Sequence, residues 1–121
     1  MKQVNIISNP AERRAVVLKL KPSITKDFAT LRSVLQKDPS PVIRHEAAFK
    51  LGSSKSKKAV KPLIESIIND PSDLVRHESL EALGDLGIKT KEVIELLSRY
   101  KKHKNEFIRD TAHMALLTIS K

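Results

Sequence analysis

"VIRHEAAFKLG" at residues 42–52 returns as "LVRHESLEALG" at residues 74–84, with an Arg-His-Glu triplet at the same point of both. A third copy joins them when "IRHEAAFKL" (43–51), "VRHESLEAL" (75–83) and "IRDTAHMAL" (108–116) are aligned, at steps of 32 and then 33 residues. Self-similarity at such a period marks a stack of supersecondary units, none of which can bury its apolar face alone.

Each copy reads as a helix, and each follows another helix whose apolar residues recur every three or four positions. The preceding stripes are Ile24, Phe28, Leu31 and Leu35; Val60, Leu63, Ile64, Ile67 and Ile68; and Val93, Leu96, Leu97 and Tyr100. The breaks repeat as well. Asp38-Pro39 and Asp70-Pro71 close the first helix of a pair, because a residue before proline is pushed out of the helical region. Ser40 and Ser72 then stand where they can cap the second helix, and Gly52 and Gly84 fall near its end. With an earlier helix at about 10–20 to close the stack, the pattern predicts an all-α protein, a short α-solenoid of about seven helices. Its repeats cover about 23–53, 55–87 and 89–120 of a single domain spanning 1–121.

Composition agrees. A chain of 121 residues is one domain by length and can bury a sizeable core. With no Trp, three Phe and one Tyr, that core is built from aliphatic residues. The absence of Cys excludes disulfides and thiolate metal sites. No apolar run approaches the ~20 residues of a membrane span, and "MKQVNIISNP" does not read as a signal peptide, so a soluble, cytoplasmic protein is expected. The net charge of +9 attracts acidic partners without naming one. The lysines cluster locally at 55–61 and 101–104, as solvated helix ends do, and no aromatic residues interleave them.

Helical phase places the two triplets. Ile43, Ala47 and Leu51 form the inward stripe of their helix, matched by Val75, Ser79 and Leu83 in the next repeat. His45 lies two residues after Ile43, about 200° around the helix, and so points away from the core. His77 does the same one repeat on. Since packed helices lie roughly 8–10 Å apart, two such imidazoles can lean towards one point, with Glu46 and Glu78 at the edge of that surface. Two histidines with a carboxylate and open positions suit non-haem iron(II). A polar helix face that preserves i,i+4 ion pairs is equally compatible with the spacing. The third copy carries Asp110-Thr111 instead, so the fold itself does not require His-Glu. Phe49, four residues after His45, suggests a pocket wall or an interface. Glu81, four after His77, is a surface charge or an acceptor for an imidazole N–H. His113, three residues after Asp110, could approach the same surface but as a lone histidine reads as structural or solvated, and His103 reads as solvent-exposed.

The stretch "DPSPVIRHEAAFKLG…AVKPLIESIINDPSDLVRHESLEALGDLG" resembles HEAT-like helical-hairpin repeats of the PBS-lyase type, and more specifically one half of the deoxyhypusine hydroxylase family. The resemblance covers roughly residues 10–120. It implies a di-iron monooxygenase acting on a deoxyhypusine side chain of a translation factor, with two facing halves that each bring two His-Glu pairs. By that likeness His45 and His77 hold one iron, Glu46 reaches the iron of the opposite half, and Glu78 is a nearby acidic residue. One half has too few ligands. A two-fold homodimer through the His-Glu face, with Phe49 near the interface, restores four of each and implies two Fe(II)/Fe(III) ions per dimer. The competing expectation is a non-catalytic scaffold that binds an acidic protein partner. Nucleic-acid binding has least support, for want of a motif or a dense basic stripe. No phosphate loop, Cys nucleophile, HExxH pattern or nucleophile elbow is present.

Overall fold

The computed structural model describes residues 4–120. Seven α-helices run through them: α1 (Pro10–Lys19), α2 (Thr25–Lys37), α3 (Pro41–Gly52), α4 (Val60–Asn69), α5 (Asp73–Leu86), α6 (Lys91–Tyr100) and α7 (Glu106–Ile119). Short 3-10 turns lie at Val4–Ile6 and Lys57–Ala59, and there is no strand among the described residues. None of these helices is long and apolar enough to cross a membrane.

The helices form two layers. α1, α3, α5 and α7 pack side by side as the inner layer, while α2, α4 and α6 each cover the inner helix that follows. Between the layers lies one continuous aliphatic core that includes Leu31, Leu35, Ile43, Leu51, Leu63, Ile67, Val75, Leu83, Leu97 and Ile108, all essentially without exposure. The inward stripe read from the sequence is there, with Ile43, Ala47, Leu51, Val75, Ser79 and Leu83 all buried.

Close approach between inner helices depends on glycine. A Cβ on Gly52 would stand 2.6 Å from Ala82 Cβ and 2.8 Å from Ala82 Cα; on Gly84 it would meet Ala115 at 3.1 Å. Gly52 is the last residue of α3 and Gly84 lies in the last turn of α5, and both act by leaving room. The left-handed helix cap belongs to Gly87, at φ +67°.

The turns between repeats differ from the expected capping. Ser40 and Ser72 occupy the N-cap positions, yet neither side chain makes a cap hydrogen bond. The preceding aspartate organises the turn instead. Asp38 Oδ1 accepts from Ser40 N and Asp70 Oδ1 from Ser72 N, each at 2.9 Å. The same carboxylates tie repeats together, since Arg13 Nε donates to Asp38 Oδ2 at 3.0 Å and Arg44 Nε to Asp70 Oδ2 at 2.9 Å. At the third turn His103 takes the place of aspartate, 3.3 Å from Arg76 Nη2 and accepting from Asn105 N at 3.0 Å. His103 is therefore a half-buried turn residue and not the solvated histidine that its charged neighbours suggested.

Candidate metal centre

The His-Glu pairs lie near the starts of α3 and α5, and repeat geometry decides what they touch. Three parallel rungs join successive inner helices. Arg14 on α1 donates from Nε and Nη2 to Glu46 Oε1 on α3, at 3.0 and 2.8 Å. His45 Nε2 on α3 stands 2.7 Å from Glu78 Oε1 on α5. His77 Nδ1 on α5 stands 2.6 Å from Thr111 Oγ1 on α7. In every rung the second residue of one triplet position meets the third residue of the next, so the face is a ladder.

Thr111 fixes the tautomer of His77. Its hydroxyl donates to Phe107 O at 2.8 Å, so it has only lone pairs to offer and Nδ1 must be the donor. The Nε2 lone pair of His77 then faces Glu81 Oε2, 3.3 Å away, while the ring stacks on Phe107 at 4.2 Å between centroids. Burial, with a smaller contribution from nearby His45, lowers the His77 pKa, and Glu81 only partly opposes them, so the neutral imidazole is favoured. A neutral histidine oriented by one N–H, with a lone pair on its other nitrogen, is the arrangement that metal ligation uses.

Glu78 is the most perturbed group. Only 9% exposed, it has its pKa raised to about 7 by burial above all, with the Glu81 and Asp85 carboxylates adding to the shift and His45 opposing it. Glu81, one turn further along α5, is one of the carboxylates that raise this pKa, so His45, Glu78, Glu81 and His77 form one electrostatically connected cluster. The Nδ1 of His45 is buried without a partner. Two imidazoles and two crowded carboxylates, one of them retaining a proton near neutrality, are a donor set of the nitrogen and oxygen type that suits non-haem iron. Within one chain, however, no three His, Asp or Glu side chains among the described residues are grouped to hold a metal ion.

The structure thus joins His45, His77, Glu78 and Glu81 and sets Glu46 apart on Arg14. Glu78 is buried, where helical phase alone put it at the edge of the surface. Phe49 is 51% exposed on the same helix face, and His113 is solvent-exposed. Sequence reading did not connect Arg14, Thr111, Phe107 or Asp85 to these residues. The available signal was the repeat step, because the rungs link positions 32, 33 and 34 residues apart.

Residues 28–119 match the family model described as HEAT repeats. The chain belongs to the HEAT-repeat family. Among solved structures, this HEAT-repeat chain is similar to human deoxyhypusine hydroxylase in complex with glycerol, at 25% identity and a TM-score of 0.82. The match covers 93% of this chain and 39% of that one, so the HEAT-repeat chain spans about two-fifths of the enzyme's length. No curated protein matches it. The fold is that of a deoxyhypusine hydroxylase-like HEAT-repeat protein.

Proposed function

We propose that this chain is a metalloprotein in which two copies face each other through their His-Glu ladders and hold two iron ions between them. The observation that carries this reading is the cluster of His45, Glu78, Glu81 and His77, in which His45 Nε2 stands 2.7 Å from the buried Glu78 carboxyl and His77 Nε2 faces Glu81, on a fold shared with deoxyhypusine hydroxylase. His45 and His77 serve as nitrogen ligands, Glu46 as the carboxylate that crosses to the other copy, and Glu78 as an acidic residue of the same site. Bound iron would supply oxygen activation, and the corresponding activity is hydroxylation of a deoxyhypusine side chain on a translation factor.

The chain's own residues prepare the site in definite ways. Thr111 and Phe107 hold the His77 ring with its Nε2 turned towards Glu81. Arg14 keeps the Glu46 carboxylate extended across the ladder, from which it must be released to reach a facing copy. The exposed apolar residues Phe49, Val42 and Leu74 flank the ladder on α3 and α5 and provide contact area for that copy.

A scaffold that binds an acidic protein is the second reading. It is favoured by the rungs, which satisfy one another without a metal. Anaerobic loading with iron(II), followed by elemental analysis and light scattering, separates the two. Close to one iron per chain in a dimer, lost in His45→Ala and His77→Ala, supports the metal centre. A metal-free monomer after loading sinks it.

A further inference from the structure

The lysines that look scattered in the sequence are gathered by the fold. Because α1, α3, α5 and α7 run parallel and in register, their C-terminal ends and the starts of α2, α4 and α6 share one edge of the solenoid. Lys19, Lys21 and Lys26 stand exposed at its first junction, Lys89 and Lys91 at its third. The middle junction, "SSKSKKAVK" at 53–61, exposes Lys55, Lys57, Lys58 and Lys61. Against them the edge carries Asp27, Asp85 and Glu92.

Two features set this edge apart from ordinary solvated helix ends. Lys55 adopts φ +60°. The equivalent position of the next repeat is Gly87, which takes φ +67° without the steric conflict that a Cβ brings. The fold accommodates glycine there, yet the middle junction holds a lysine in a conformation that lysine disfavours. The second feature is the start of α4. Cations at a helix N-terminus oppose the helix dipole, and α4 has no acidic residue in its first turn to offset Lys57, Lys58 and Lys61. Lys55 Nζ reaches only a long 3.4 Å contact with Asp85 O, and none of the other three bonds an acidic side chain.

We propose that this lysine edge binds the phosphodiester backbone of a nucleic-acid duplex, without reading its sequence. Lysine provides point-charge contacts to phosphates and is depleted in protein–protein interfaces, which favours a polyanion over an acidic protein. The edge has no aromatic residue on which unpaired bases would stack, which favours a duplex over a single strand. With inner helices about 9 Å apart, the three junctions span roughly 20 Å, the length of about six base pairs. The proposal does not rest on the metal centre, whose histidines lie in the N-terminal halves of α3 and α5.

Fluorescence anisotropy of a labelled random-sequence 24-base-pair DNA duplex with the full chain, between 50 and 200 mM KCl, tests it. Wild type should bind with log Kd rising against log salt with a slope of about 4. The charge-reversed Lys57→Glu/Lys58→Glu/Lys61→Glu protein should bind at least tenfold more weakly, with the slope reduced by about 3. The matched control Lys101→Glu/Lys102→Glu/Lys104→Glu, on the opposite edge, carries the same net charge and should change affinity less than threefold. Lys55→Gly should raise the thermal midpoint while weakening binding two- to threefold. The proposal is overturned by any of three results: no binding at 50 mM KCl, equal loss in both triple variants, or tighter binding of single-stranded DNA or poly-glutamate than of the duplex. Circular dichroism confirms that the variants remain helical.

Discussion

Ser79 shows how a single residue departs from the pattern its repeat sets. It is fully buried with a hydroxyl that has no hydrogen-bond partner, at the position that Ala47 and Ala112 fill in the flanking repeats. An unpaired buried hydroxyl is destabilising, and alanine is the better helix former. Ser79→Ala should therefore stabilise the protein by about 1 kcal/mol, read as a higher urea midpoint; an unchanged or lower midpoint would mean that the hydroxyl has an acceptor. Glu78 gives a prediction in pH. Its folded pKa of about 7 lies above its ordinary 4.5, so the fold prefers the protonated form. That preference stabilises the metal-free protein fully below about pH 4.5 and is lost as pH rises through 7. Glu78→Gln cannot ionise, so the difference in stability between variant and wild type should shift in the variant's favour from pH 5 to pH 8. A difference that stays flat over that range would show that Glu78 does not titrate there. Neither feature was legible as sequence. Ser79 was placed correctly on the inward stripe, but whether a buried hydroxyl finds a partner depends on three-dimensional neighbours. Glu78 was placed only by its own helix, and it is the adjoining repeats that bury it.

At the scale of elements, the sequence was far more informative. Period-3.6 stripes, Asp-Pro breaks and the 32- to 33-residue step identify helices, their ends and their stacking, because each is a local property repeated three times. The role of the glycines was not local. Gly52 and Gly84 read as residues near helix ends, but their work is to admit the next inner helix at Ala82 and Ala115. The third copy has Leu117 at this position, 48% exposed, which would keep a further inner helix from packing equally close. Gly52→Ala drives a methyl into the backbone of Ala82, and overpacking of this kind costs about 1–3 kcal/mol, more than the helix propensity gained. Gly84→Ala meets a gap a few tenths of an ångström wider and should stay within about 1 kcal/mol of wild type. Thermal melts of the two variants should therefore separate clearly, and equal midpoints would show that the inner helices slide apart at little expense.

Across the whole molecule, stability is a chain of nearest-neighbour interfaces, and the weakest interface sets where the stack opens first. Two of the three turn rails are buried arginine–aspartate pairs, Arg13–Asp38 and Arg44–Asp70, with aspartate side chains only 2% and 6% exposed. In the third, His103 faces two donors, Asn105 N on Nδ1 and Arg76 Nη2 on Nε2. A neutral imidazole carries one N–H and can accept at only one nitrogen, so one of these contacts is not a hydrogen bond. An aspartate has lone pairs for both, as Asp38 and Asp70 demonstrate. His103→Asp should complete the rail, trading a weak ring stack with Tyr100 for charge-assisted hydrogen bonds worth about 1.5–3 kcal/mol. The gain should be uneven. Amide exchange should slow most in α6 and α7, whose attachment to α5 the rail strengthens, while α1 to α3 change only with global stability. If the variant melts lower than wild type, or if protection rises equally along the chain, the third turn is not the weak link between repeats.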